Sequence, residues 1–139
     1  MVIPDLAAPQ EKFIEAVERG NEVCRKYFRH YTLYCVGIKL SGRQERYELS
    51  CIPPGAQDMA FGCEFEPMLR DTDFSRDYLQ SFKNEIYDIG VDMGLSYYRF
   101  GGMMKGYIRK AFGDELVDKH LALKRKSDPA MILNRDVIF

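Results

Sequence analysis

The amino-acid sequence predicts an α+β fold, and three observations carry that reading. Two stretches, one opening at Pro9 and one ending at Met93, place apolar side chains at helical spacing. Between them the chain alternates apolar and polar residues, as half-buried strands do. Pro and Gly punctuate the joins, at Pro53-Pro54-Gly55 and at Gly94. With 139 residues, 46% of them hydrophobic, the chain is long enough for a single ordinary core.

Each element can be justified in order. Pro9 suits a first helical turn, where its missing N–H costs little. Phe13, Ile14, Val17, Cys24 and Phe28 then fall near a 3.6 spacing and predict a helix to about Tyr27, with Gly20 and Asn21 weakening its middle. "YTLYCVGIKL" puts Tyr34, Val36, Ile38 and Leu40 on one strand face, "SGRQER" turns the chain, and "YELSC" returns with Tyr47, Leu49 and Cys51 alternating. This predicts a hairpin that brings Cys35 and Cys51 opposite each other. "IPPG" must break any strand, because proline cannot donate to a ladder. "MAFGCEF" then points Met59, Phe61, Cys63 and Phe65 inward.

Thr72 or Asp73 is placed to cap a second helix, whose stripe is Tyr78, Leu79, Phe82, Ile86, Ile89 and Met93. Gly94 is its terminator. "LSYYRF" reads as a further strand. A short helical piece around Tyr107, Ile108 and Ala111 follows, and Asp114 is set to cap a last helix that Asp128-Pro129 ends. The order is helix, three strands, helix, strand, helix. The simplest topology is a ferredoxin-like antiparallel sheet with helices on one face, plus a C-terminal helix.

Charge and composition remove several function classes. A net charge of −1 is unlike a nucleic-acid binder, which carries a concentrated basic surface. No apolar run approaches the roughly 20 residues that span a bilayer, and "MVIPDLAAPQ" lacks the regions of a signal peptide. The expectation is a cytoplasmic protein that contacts neither nucleic acid nor membrane. The four cysteines form no CxxC pair, and in the cytosol they are expected reduced and packed in the core. With His30 and His120 the only histidines, a histidine-rich metal site is not expected.

The tail is more specific. "FGDELVDKHLALKRKSDPAMILN" joins a Phe-Gly pair to an amphipathic helix with lysine near its end, then Asp-Pro and Ile-Leu-Asn. It resembles the C-terminal end of FAD-linked oxidases of the vanillyl-alcohol-oxidase and 4-cresol dehydrogenase flavoprotein superfamily. Upstream, "FSRDYLQSFKNEIYDIGVDMG" and "LSYYRF" look like that family's last cap helix and the strand after it, so the resemblance runs from about Phe74 to Asn134. The family continues Asn/Ala-Pro-Gly where this chain has Asn134-Arg135-Asp136. Tyr98-Arg99 fits the phenol-oxidising branch, although the Thr-His that usually follows there does not. No Gly-rich phosphate loop is present in the sequence.

The resemblance implies residues 1–100 as part of a substrate-binding cap domain and 101–139 as a helical segment that packs on a flavin domain. That flavin domain would belong to another chain or to another part of a longer enzyme. FAD is the implied cofactor and a small aromatic alcohol of phenolic type the implied substrate; a homo-oligomer is also open. Tyr98 and Arg99 are the implied catalytic pair, with Tyr97 as a third substrate-binding residue. Arg99 and Asn134 are the implied contacts to the cofactor.

The chemistry needs such residues. A phenolate oxygen can delocalise the charge left in the ring when hydride departs from the benzylic carbon. A phenol ionises near pH 10, and lowering that by about three units requires on the order of 4 kcal/mol of differential interaction. The permanent charge of Arg99 and a tyrosine hydroxyl are suited to it. Strand neighbours point to opposite faces, so Tyr97 and Arg99 share a face on a regular strand, and Tyr98 and Arg99 do so only where the backbone is irregular. The alternative reading, from a different class, is a non-catalytic ferredoxin-like module that binds a ligand or serves assembly. Lys105, Arg109 and Lys110 are a further cluster that a flavin phosphate could meet, and His120 reads as a packing residue.

Overall fold

The computed structural model describes residues 3–40, 52–68, 74–97 and 107–133. The chain divides into two compact units, Met1–Arg99 and Phe100–Phe139.

The first unit is α+β. In chain order it runs β1 (Asp5–Pro9), α1 (Gln10–Tyr27), β2 (Tyr31–Lys39), β3 (Met59–Pro67) and α2 (Arg76–Met93). The sheet order is β1-β3-β2 with both pairings antiparallel. A single antiparallel bridge, Ala7 to Ser96, brings the chain after α2 to the free side of β1. Ser96 therefore occupies the place of a fourth strand, and the order becomes that of a ferredoxin-like sheet.

Three differences from the sequence reading have physical causes. "DLAAP" forms β1, a strand too short and too uniformly small to show alternation, and all five of its residues are buried. It is an inner strand with β3 on one side and Ser96 on the other. The described partner of β2 is β3, so Cys35 lies opposite Cys63; the predicted return strand 47–51 lies outside the described residues. The α2 N-cap is Ser75, whose Oγ accepts from the Tyr78 N–H at 3.2 Å, while Thr72 and Asp73 lie outside the described residues.

Both helices pack on one face of the sheet, and each does so through a glycine. The buried stripe of α1 is Ala16, Gly20 and Cys24, whereas Ile14 points to solvent. A Cβ on Gly20 would lie 2.2 Å from the Phe65 ring, so the helix can approach β3 only because Gly20 has no side chain. A Cβ on Gly90 of α2 would lie 2.8 Å from the Tyr97 hydroxyl. Gly94, at φ 62, ends α2 in the left-handed conformation, and the Leu95 N–H reaches back to the Gly90 carbonyl at 2.8 Å. Lys12 donates to the Met93 carbonyl at 2.7 Å, tying α1 to the end of α2.

Phe61, Cys63 and Phe65 face the helices as the alternation predicts, whereas Met59, expected inward with them, is exposed at the start of the strand. The residues of the opposite face, Ala60, Gly62 and Glu64, are also buried, so β3 is covered on both faces. Part of the second cover is the small cluster of Leu40, Ala56 and Ala60, against which Ile38 and Ile52 pack. An aromatic group of Tyr27, Phe28, Phe74, Tyr78 and Phe82 closes one end of the α1–α2 layer. At that end Glu85 accepts from Tyr27 Oη at 2.5 Å and from Lys26 Nζ at 2.7 Å.

The second unit contains α3 (Ile108–Phe112) and α4 (Asp114–Ser127), joined at Gly113. The N-cap of α4 is Gly113 and not the expected Asp114, which is the first residue of the helix. The Asp114 carboxylate instead accepts from Arg109 at 2.8 Å, and Asp118 accepts from the same guanidinium at 2.7 Å.

Candidate functional site

The sequence places the site on the segment from Tyr97 to Arg99 and on Asn134. Of these, Tyr97 lies among the described residues; Tyr98, Arg99 and Asn134 lie outside them, as does Lys105. Tyr97 is 1% exposed. Its ring meets Tyr87 edge to face, with centroids 5.3 Å apart, and its hydroxyl donates to the Tyr87 carbonyl at 3.0 Å. Burial pushes both tyrosine hydroxyls above their ordinary range, so each keeps its proton. Tyr97 is thus a core residue of the α2–sheet layer, with its donor hydrogen committed to α2. The strand rule explains why: Ser96 faces the side of Ala7 and Gly62, and Tyr97 therefore turns toward the helices.

Two carboxylates lie close to the point where this segment joins the sheet. Asp5 and Glu64 are direct cross-strand partners, on the face turned away from the helices. They are 0% and 7% exposed. Ser96 stands across from Ala7, two residues further along the same strand face as Asp5. Carboxylates buried side by side require donors or a cation near them. The sequence hid this feature, because Asp5 sits in an opening stretch without periodicity and Glu64 occupies a position that alternation assigns to solvent.

In the second unit, the Asp-Pro turn is built by polar contacts. Asp128, the C-cap of α4, accepts from the Ile132 N–H at 3.0 Å and the Leu133 N–H at 2.9 Å. Lys124, one turn earlier, donates to Asp128 at 3.0 Å and to the Leu133 carbonyl at 2.5 Å. The hydrogen bond from Lys124 holds the Asp128 carboxyl below its ordinary range against the opposing effect of burial, and the two backbone N–H groups add to it. Met131, at φ 53, completes the tight return. The result is a fixed turn with Ile132 and Leu133 pointing outward at 73% and 67% exposure; Leu123 on α4 is exposed as well.

The remaining candidates are accounted for more simply. Arg109 is engaged by Asp114 and Asp118, and Lys110 lies over the Tyr107 ring at 5.3 Å. His120 is half-buried, and its Nδ1 has no hydrogen-bond partner among the described residues. A cavity of about 340 Å³ opens at the start of α1, lined by Gln10, Glu11 and the loop 55–59. Its lining is mainly polar and includes the carboxylates of Glu11 and Asp58, which suits neither an aromatic ring nor an anion. Among the described residues no group of three or more His, Cys, Asp or Glu is arranged to hold a metal, and no helix is long and apolar enough to cross a membrane.

Comparison with family models, with curated proteins and with solved structures finds no match for this chain.

Proposed function

We propose that the chain is the C-terminal, substrate-pocket portion of an FAD-dependent oxidoreductase that oxidises a phenolic or aromatic alcohol. The flavin-binding region lies in a partner chain or domain. The observation that carries the reading is the Lys124–Asp128 turn. The Asp-Pro-x-x-Ile-Leu pattern that prompted the family resemblance forms a hydrogen-bonded structure that holds two apolar side chains outward, as a docking element requires. Exposed apolar side chains of this kind mark surfaces meant to be covered.

Tyr97 is not the substrate's hydrogen-bond donor on this reading, since its hydroxyl serves α2. The substrate oxygen falls to Tyr98 and Arg99. Asn134, the next residue in the chain after Leu133, is assigned to the cofactor by the family resemblance. The flavin, when bound, accepts the hydride. The residues of this chain bind and orient the substrate and stabilise its ionised oxygen.

Co-expression with a cognate flavin-binding chain tests the proposal. A yellow complex absorbing near about 450 nm is expected, and Arg99→Ala should lower turnover by about 100-fold or more while complex yield is unchanged. Failure of the chains to associate, or a silent Arg99→Ala, would remove the reading.

A further inference from the structure

We propose that Cys35 and Cys63 are a redox pair that closes into a reversible cross-strand disulfide on exposure to a hydroperoxide. The pairing rests on register. Cys35 of β2 and Cys63 of β3 are direct antiparallel partners. Such partners have Cα atoms about 4.5 or 5.5 Å apart, depending on the type of pair. Both separations fall inside the range a disulfide bridges. The two side chains leave the sheet on one face, the face on which Phe65 meets Gly20 of α1. Both thiols are free, Cys63 buried and Cys35 exposed.

The asymmetry assigns the roles. Cys35 stands on the outer strand of the described sheet, where a small oxidant reaches it; partial burial raises its thiol, so its thiolate forms in the alkaline range. Cys63 is 1% exposed, and burial, with the Cys35 thiol as a further contributor, pushes it up to about 12. It cannot meet peroxide directly but lies within reach of its partner. In the first step the Cys35 thiolate attacks one peroxide oxygen; the O–O bond breaks, the second oxygen leaves as water or an alcohol, and Cys35 becomes a sulfenic acid. In the second step the Cys63 sulfur attacks the Cys35 sulfur, the S–O bond breaks, and the hydroxyl leaves with the Cys63 proton as water. Two thiols are oxidised and one peroxide is reduced. The bond ties β2 to the centre of the sheet across residues 36–62.

This inference does not depend on the flavin reading and is tested on the chain alone. The reduced protein is treated with hydrogen peroxide at pH about 8.5, where thiolate is more abundant. Remaining thiols are then alkylated, and the protein is examined by intact mass and by peptide mapping without reductant. A loss of two hydrogens, two alkylated thiols out of four, and a linked peptide pair carrying Cys35 and Cys63 are expected, all reversed by dithiothreitol. Hydrogen exchange across β2 should slow by about tenfold once the bond is closed. Cys35→Ser, at an exposed position, should abolish the link with the thermal transition of the reduced protein unchanged, and Cys51→Ser should leave it intact. A link through Cys24 or Cys51, a link between two chains, or oxidation of Cys35 beyond the sulfenic acid with no link would each overturn the proposal.

Discussion

The two units are held together by different physics. In the first, α2 alone buries Phe82, Lys83, Ile86, Tyr87, Ile89, Gly90 and Met93, and large rings sit against glycines. In the second, α4 buries only Val117, and what fixes its end is a lysine, a carboxylate and two backbone N–H groups. Apolar burial is non-directional and stabilises whatever closes around it. Hydrogen-bonded turns contribute little net stability but fix geometry. The first unit is therefore a scaffold stabilised by its own core, and the second is a shaped end that buries Tyr107, Ile108 and Val117 but leaves Leu123, Ile132 and Leu133 facing outward.

The strongest way to break the comparison is to fill a glycine. At Gly20 an added methyl must displace the buried Phe65 ring, which has nowhere to go in a close-packed layer. Gly20→Ala should cost about 2–3 kcal/mol, an overpacking penalty that outweighs the gain of about 1 kcal/mol in helix propensity. Chemical denaturation measures it. Combining it with Phe65→Leu should recover more than half of the loss, which identifies the ring as the cause. If Gly20→Ala is stabilising, α1 does not approach the sheet as described.

A smaller effect separates scaffold from site at Tyr97. Tyr97→Phe keeps the ring contact with Tyr87 and removes the bond to the Tyr87 carbonyl, so it should destabilise the fold by about 1 kcal/mol. In the flavin complex proposed above, its turnover should stay within about twofold of the wild type, because a core hydroxyl does no work at the substrate. A large loss of turnover without loss of stability would return Tyr97 to the site.

The sequence made some of this legible and hid the rest for definite reasons. The stripe of α2 and its Gly94 stop were readable because burial there follows a 3.6 period and the terminator needs a positive φ. The inward set of β3 was readable too, but its buried reverse face was not, since alternation presumes one wet face and β3 has none. Gly20 looks like a flaw in a helix until Phe65, 45 positions away in the chain, is seen beneath it. β1 failed for lack of any large side chain: Ala7 and Ala8 pack well because they are small, and smallness carries no periodic signal. For the candidate site, Lys124 and Asp128 stand one helical turn apart and could be read as a pair. The acidic partnership of Asp5 and Glu64 depends on strand register, which local pattern does not specify.

The smallest effect concerns the pH at which the C-terminal turn opens. The carboxyl of Asp128 is held below its ordinary 3.8 in the folded turn, first by Lys124 and then by the Ile132 and Leu133 N–H groups. A depressed acid contributes stability that is fully present above its unfolded value and is lost as pH falls through its lower folded value. From neutral pH down to about pH 5 the turn should therefore stay closed. Below the unfolded value of 3.8 its contribution should fade, and it should be gone once pH has passed below the depressed folded value. Amide exchange at Ile132 and Leu133 reads this directly. After correction for the intrinsic pH dependence of exchange, protection at these two amides should fall across that window while amides of α2 hold theirs. Asp128→Asn retains an acceptor oxygen but no charge, so its protection should be lower than wild type at neutral pH and flat through the acid range. A wild-type turn whose protection is flat over the same range would mean that the carboxylate is not what fastens it, and the contrast between a packed scaffold and a polar, charge-fastened end would fail at its outermost point.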